Sequence, residues 1–433
     1  MGFFMEEIYK IFLACTGVST DTRSIKKGNL FICLKGKNYN GNKFVAEALD
    51  KGANYVIIDE KEYYIEGKTI LTDDCLTTLQ KLAHYHRTKF NIPVIGITGS
   101  NGKTTTKELM AHLLSQAYTV LYTAGNLNNH IGVPLTLLKL NQQHQIAIIE
   151  MGANHPGDIQ ELCDIALPNF GIISNIGKAH LQGFKNIEGV IETKTALYKS
   201  IHKSKGTLFI NSDDVILMEN APKDTKSILY SGINTTNTYI TGYLDKLTPY
   251  IILNWKSSTY TSPSIKTHII GEYNFYNLLT AITVASYFKV DDEAINKGIE
   301  TFRNENNRSQ LKQTANNELI MDAYNANPSS MKSAIVSFDK VDRANKVMIL
   351  GDMFELGEES HKEHERIITL ARSTLIPTFF IGENFYAFKD DNKSFFKSKD
   401  QLIAYLKENM LSNQFILLKG SRGIALEKLV DCL

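Results

Sequence analysis

Gly96-Ile97-Thr98-Gly99-Ser100-Asn101-Gly102-Lys103-Thr104-Thr105-Thr106 packs a strand end, a glycine-rich turn and a helix start into one short run. Upstream, Val94 to Ile97 is apolar enough for a buried strand. Downstream, Leu109, Leu113 and Leu114 share one face of a helix. Backbone N–H groups of such a turn, at a helix N-terminus, suit the oxygens of a bound phosphate. Lys103 is placed to reach the β- and γ-phosphates, and the Thr104 hydroxyl to bind Mg²⁺. Strict P-loop spacing puts glycine where Ile97 stands, but Gly99-x-x-Gly102-Lys103-Thr104 is intact in a strand–loop–helix setting. The run predicts nucleoside triphosphate binding through Gly99, Ser100, Asn101, Gly102, Lys103, Thr104 and Thr105.

Working outward, short apolar runs alternate with helical sequence. Ile146–Ile149, Gly171–Ser174 and Leu208–Ile210 follow the P-loop strand, which argues for a parallel sheet with crossover helices. Residues 228–270, rich in Thr, Tyr and Ser, read as added antiparallel strands. Before the loop, Leu30–Leu34 and Tyr55–Asp59 read as strands, and Thr77–His86 as a helix. After it come strands at Leu319–Met321, Val347–Leu350, Thr378–Ile381 and Phe415–Leu418. Asn327 and Pro328 supply an N-cap and a first helical position, ahead of a buried stripe of Met331, Ala334, Ile335 and Phe338. The expected fold class is α/β with three domains, 1–90, 91–303 and 304–433. The central one is a P-loop parallel-sheet ATPase domain and the C-terminal one a Rossmann-like α/β domain. Polar residues sit just past the strands: Glu150, Asn175, Asn211, Asp322, Asp352 and Lys419. Ligands of open α/β sheets bind there, so a cleft shared by two α/β domains is expected.

Composition excludes several classes. Net charge is +1, which gives no electrostatic case for nucleic acid or an anionic membrane. No apolar run approaches the ~20 residues of a membrane helix. Five scattered cysteines lack a C-x-x-C pair, so free thiols in a reducing, cytoplasmic setting fit better than disulfides or zinc. Glu6 and Glu7 interrupt the first apolar stretch, which does not read as a signal peptide. A monomer is expected.

Longer segments resemble the Mur ligases, ATP-dependent amide-forming enzymes of peptidoglycan precursor synthesis. They are Gly125-Asn126-Leu127-Asn128-Asn129-His130-Ile131-Gly132-Val133-Pro134, Glu150–His155, Asn175–Leu181, Asp322–Pro328, Leu350–Gly357 and Lys419–Arg422. The first is typical of the branch that adds D-alanyl-D-alanine to UDP-N-acetylmuramoyl-tripeptide, and the match runs from Asp21 to Arg422. The resemblance implies that the tripeptide carboxylate attacks the γ-phosphate of ATP and that the dipeptide amine then displaces phosphate from the acyl phosphate. It implies two Mg²⁺ sites, with Thr104, Glu150, His180 and a carbamylated Lys194 as ligands. On residue type alone Glu150 could be a plain N-cap carboxylate, His180 structural, and Lys194 an exposed helix lysine like Lys185 and Lys199.

Further roles come from the same likeness. Gly271–Asn277 resembles the family's adenine-site segment, with Tyr273 where histidine is commoner, and implies nucleotide contacts from Tyr273, Asn274, Asn277 and, across a domain boundary, Arg308. Thr20, Asp21, Thr22 and Arg23 would contact the UDP-linked substrate in the first domain. Asn126, Asn128 and Asn129 would serve the substrate from the central domain. Asp322 and Tyr324 would face the ATP ribose. Asn325, Asn327, Asp352, Lys419, Ser421 and Arg422 would line the cleft for the dipeptide when the third domain closes about a hinge at Phe302–Asn307. Two other readings are a Mur-type ligase adding the third residue, or of folylpolyglutamate type, and a P-loop NTPase that makes no amide.

Overall fold

The computed structural model describes residues 2–233, 236–304, 308–390 and 394–433, and folds as a three-domain α/β protein. Its first sheet is parallel, in the order Val18–Ser19, Leu30–Ile32, Tyr55–Ile58, Thr69–Leu71. The helix foreseen at Thr77–His86 runs Cys75–Arg87. It starts where Asp74 caps the Thr77 amide, a residue type favoured at that position because it satisfies an orphan helical N–H.

The second sheet has nine strands, and Val94–Thr98 lies well inside it. Phe170–Ile173 flanks that strand on one side and Ile146–Glu150 on the other, both parallel to it. Strands buried on both faces read as continuous apolar runs, which explains Val94, Ile95 and Ile97, all fully buried. Burying each such side chain contributes roughly 1.5–3 kcal/mol. The helix Lys103–Leu114 packs Leu109, Leu113 and Leu114 beneath it.

Residues 228–270 differ in part from the antiparallel reading. Ile240–Leu247, Tyr250–Lys256 and Ile265–Ile270 do form an antiparallel meander. Lys226–Ser231, however, pairs parallel with Thr207–Asn211, and Ile240 enters beside Tyr230 in parallel too. The turn-rich composition marked the hairpins but hid these two parallel pairings.

The third sheet has six strands, five parallel and one antiparallel edge, Gln310–Gln313. At Pro328–Lys340 the cap is complete: Asn327 accepts from the Ser330 amide while Ser330 Oγ accepts from the Asn327 amide. Met331, Ala334, Ile335 and Phe338 are buried beneath this helix. Of the expected hinge, Phe302 is buried and Arg303 caps the preceding helix through the carbonyls of Glu300, Thr301 and Phe302. Residues 305–307 lie outside the described residues. Among the described residues no helix is long and apolar enough to cross a membrane.

Candidate active site

The carboxyl ends of the second and third sheets face each other across a cleft of ≈ 1130 Å³. Ser100, Asn101, Gly102, Lys103, Thr104 and Thr105 form one wall. Gly102 takes φ +78 at the helix N-cap, and a Cβ there would meet the Asn277 amide at 2.5 Å, so both conformation and contact require glycine. Gly99 lies behind the wall, at φ +149, where a Cβ would strike Ser174 Oγ.

The loop after Phe170–Ile173 grips the turn from the side. Ser174 Oγ donates to the Asn101 carbonyl at 2.5 Å, Asn175 Oδ1 accepts from the Asn101 amide at 3.1 Å, and Ser100 Oγ donates to the Gly177 carbonyl at 2.8 Å. Lys103 Nζ donates back to the Gly99 carbonyl at 2.6 Å. Burial holds that ammonium below the usual lysine range, Glu150 opposes the shift, and Arg308 adds to it.

Glu150 is the node beneath the loop. Its Oε1 accepts from Thr104 Oγ1 at 3.1 Å and Asn128 Nδ2 at 2.8 Å, and its amide donates to Thr123 Oγ1 at 2.9 Å. Oε2 is buried with no hydrogen-bond partner, and lies 3.7 Å from Lys107 Nζ. A buried carboxylate oxygen short of partners beside the P-loop threonine is the hard donor set Mg²⁺ takes. Among the described residues no group of three His, Cys, Asp or Glu forms a metal cage.

Lys194 departs from the solvated reading. Lys185 and Lys199 are exposed, but Lys194 is 1% exposed on the helix Ile187–Lys203, behind the residues that line the cleft. No hydrogen bond or ion pair of its Nζ is found among the described residues. Burial, then the Lys103 charge, holds its ammonium well below the usual lysine range. Burial without a counter-charge disfavours the ammonium relative to the neutral amine.

His180 lines the cleft rim with φ +52, and its Nδ1 lies 2.5 Å from Glu355 Oε2 of the third domain. Non-glycine residues in this region carry strain on the order of 1 kcal/mol or more.

On the opposite wall, Asp322, Tyr324, Asn325, Asn327, Lys419 and Arg308 line the cleft. Lys419 Nζ donates to Asp322 Oδ2 at 2.6 Å, and Arg308 stacks 3.7 Å above the Tyr324 ring. Asn327 Nδ2 donates to Asn101 Oδ1 at 2.8 Å, so the third domain touches the P-loop itself. Asn126, Asn128, Asn129, Tyr273, Asn274 and Asn277 also line the cleft. Tyr273 is tied by its hydroxyl to Ser309 Oγ at 2.7 Å, and burial pushes the phenol well up. Asn277 accepts from Thr106 Oγ1 and donates to Asn274 Oδ1, so its amide first serves the shape of the loop.

Several expected residues lie elsewhere. Asp352 is buried away from the cleft. Its carboxylate accepts from the Asn384 and Phe385 amides at 2.9 Å each and caps the turn Glu383–Tyr386. Ser421 ties two loops together, accepting from the Phe354 amide and donating to the Ala326 carbonyl. Arg422 is exposed, with its guanidinium 5.5 Å from the Tyr324 ring. Thr20, Asp21, Thr22 and Arg23 are not in the cleft lining. Arg23 grips Asp21 at 2.6 Å on the surface, and its hydrogen bonds hold the Asp21 carboxyl down to about 2.

The cleft contains residues the motif reading passed over. Asp213 accepts from Tyr276 Oη at 3.0 Å and Ser231 Oγ at 2.6 Å. It stands two residues past the strand Thr207–Asn211, whereas Glu150 and Lys419 close their own strands. Ser174 and Ser309 act through bonds to residues distant in sequence, Asn101 and Tyr273, and left no such signal.

Comparison with known proteins covers almost the whole chain. Residues 14–87 match the Mur ligase family, catalytic domain; 97–285 the Mur ligase middle domain; and 307–422 the Mur ligase, glutamate ligase domain. The UDP-N-acetylmuramoyl-tripeptide–D-alanyl-D-alanine ligase of Bacillus subtilis is 35% identical over 96% of this chain and 92% of its own. A crystal structure of MurF from Acinetobacter baumannii superposes with a TM-score of 0.87 at 28% identity, over 99% of this chain and 97% of that one. The MurF ligase of Thermotoga maritima in complex with ADP gives 0.84 at 25% identity, over 97% of both.

Proposed function

The chain belongs to the Mur ligase family, and on that premise we propose that it joins D-alanyl-D-alanine to UDP-N-acetylmuramoyl-tripeptide at the cost of ATP. The observation that carries this reading is the meeting of two domains on one polar cleft, with the P-loop on one wall and Arg308 and Lys419 on the other. A simple nucleotide switch has no use for the second wall. A ligase must bring several anionic oxygens together, and needs fixed cations from both sides.

A terminal carboxylate oxygen of the tripeptide attacks the γ-phosphorus, the bond to the β-phosphate oxygen breaks, and ADP leaves. The dipeptide amine adds to the acyl carbon of the acyl phosphate, loses a proton, and expels inorganic phosphate as the amide forms. Lys103 and the P-loop amides hold the β- and γ-phosphates throughout. Arg308 and Lys419 add positive charge when the third domain closes, and closure excludes water that would hydrolyse the acyl phosphate. Mg²⁺, held by Thr104 and Glu150, would neutralise charge on the phosphates.

A second Mg²⁺ would be held by His180 and Lys194. In its neutral form the Lys194 amine would take up CO₂ and release a proton, and the resulting carbamate would supply an anionic oxygen donor. The burial of Lys194, which disfavours its ammonium, supports this reading. Residues 1–90 bind the UDP moiety through Thr20–Arg23, 91–303 bind ATP, and 304–433 close over it and receive the dipeptide. The cytoplasm supplies ATP and keeps the five cysteines reduced.

The test leaves out ATP, Mg²⁺, tripeptide or dipeptide one at a time while phosphate release is followed. Release that needs all four, with a product heavier by the dipeptide, bears out the ligase. Release indifferent to the dipeptide overturns it.

A further inference from the structure

Past the strand Phe170–Ile173, the chain runs through Lys178 and His180 into one helical turn, Leu181–Phe184, at the rim of the cleft. The third domain touches this stretch at three points to which no role has been given above. His180 Nδ1 lies 2.5 Å from Glu355 Oε2, the Gln182 amide donates to the Glu355 carbonyl at 3.1 Å, and Lys178 Nζ donates to Glu363 Oε1 at 2.7 Å. Glu355 thus holds the loop twice, by its side chain and by its backbone. Both residues of the first contact are left-handed, His180 at φ +52 and Glu355 at φ +62. Two strained non-glycine residues facing each other across a domain boundary persist only where the surroundings fix them both, and such strain gathers at functional positions.

We propose that Glu355 is a positioning residue for His180, delivered by closure of the third domain. This rests on the ligase reading above. A neutral imidazole shares its proton between two nitrogens, and a carboxylate against one of them selects the tautomer and fixes the ring. In this conformer the 2.5 Å contact lies out of line with the ring N–H, so Nδ1 makes no hydrogen bond; a turn of the ring that aligns Nδ1–H with Glu355 leaves Nε2 for the cleft. An enzyme with its third domain open binds nucleotide but leaves His180 free to rotate. Phosphoryl transfer therefore waits for the domain that also shields the acyl phosphate. Lys178 and Glu363 tie the same two domains without touching His180, and provide the control.

The experiment compares Glu355→Ala, Glu355→Gln and Lys178→Met in the full chain, each checked for an unchanged melting temperature. Glu355→Ala is expected to lower kcat roughly 10–100-fold, as loss of an outer-shell partner does, with KM for ATP within about twofold. Glu355→Gln, whose amide oxygen can accept from an aligned Nδ1–H, should fall between, and Lys178→Met should lose less than about threefold. A readout independent of turnover is ¹⁵N NMR of histidine-labelled protein with ADP and Mg²⁺, where His180→Gln identifies the signal. Wild type should show the Nδ1–H tautomer, and Glu355→Ala a mixture. An unchanged tautomer in Glu355→Ala, or equal losses in Glu355→Ala and Lys178→Met, overturns the proposal. If Glu355→Ala does not fold, Glu355→Gln and the wild-type tautomer decide. If wild type makes no amide, the ligase reading falls, while the NMR result still judges the His180 contact.

Discussion

The nucleotide half of this molecule and its first-domain candidate site are built on opposite plans. Around the P-loop, Lys103, Thr104, Glu150, Asn128 and Asn175 are joined to one another or to the loop backbone, with Thr104 and Glu150 buried and the other three half-buried. At Thr20–Arg23 the guanidinium of Arg23 stands 88% exposed, held only by its neighbour Asp21. The first arrangement is organised before any ligand arrives, which is what transition-state stabilisation requires. The second can exchange one carboxylate partner for a ligand phosphate at little cost, which suits a group that captures substrate.

The comparison predicts where substitutions bite. Lys103→Met should reduce kcat by about 10³-fold, the loss expected for a group aimed at developing charge, without lowering the melting temperature. A large fall in stability instead would make Lys103 a structural residue.

Lys194→Met should lower kcat by about 10²-fold or more if the lysine becomes an anionic ligand. It should also raise the melting temperature at pH 7 in CO₂-free buffer. Folding depresses this ammonium, so the unfolded chain binds the extra proton, and wild-type stability climbs as pH rises toward the ordinary lysine range. The stabilisation by Lys194→Met should therefore shrink between pH 7 and pH 10. With ¹³CO₂, wild type should show one carbamate carbon resonance that Lys194→Met lacks, and its absence would remove the second metal site from the account.

Arg23→Ala should raise KM for the UDP-linked substrate roughly tenfold, with kcat and melting temperature nearly unchanged. A loss confined to kcat would contradict the contrast between a capturing site and a reacting one. The smallest effect belongs to Tyr273→Phe, which removes the hydroxyl's bond to Ser309 and its longer one to Asp322 and should raise KM for ATP only a few-fold, matching about 1 kcal/mol.

Much of this was legible in the sequence because local chemistry forces it. A buried parallel strand reads as Val94-Ile95-Gly96-Ile97, and a helix start as Asn327-Pro328, whatever surrounds them. Position past a strand end found Glu150, Asn175, Asn211, Asp322 and Lys419, all of which line the cleft. The same rule misplaced Asp352, whose carboxylate caps a turn from the neighbouring strand, a partner far away in sequence. Lys194 looks like any helix lysine until the sheet closes over it. The stacking of Arg308 on Tyr324 and the contact of His180 with Glu355 depend on how separate segments meet, and no spacing encodes that.

The central claim is that the tripeptide carboxylate is phosphorylated before the amide forms. The most direct measurement uses UDP-N-acetylmuramoyl-tripeptide labelled with ¹⁸O in its terminal carboxylate, together with ATP, Mg²⁺ and D-alanyl-D-alanine, and reads the released phosphate by mass. One ¹⁸O atom in each phosphate formed alongside the amide is the predicted result. Unlabelled phosphate would mean that water, not the carboxylate, attacks ATP, and would contradict the account.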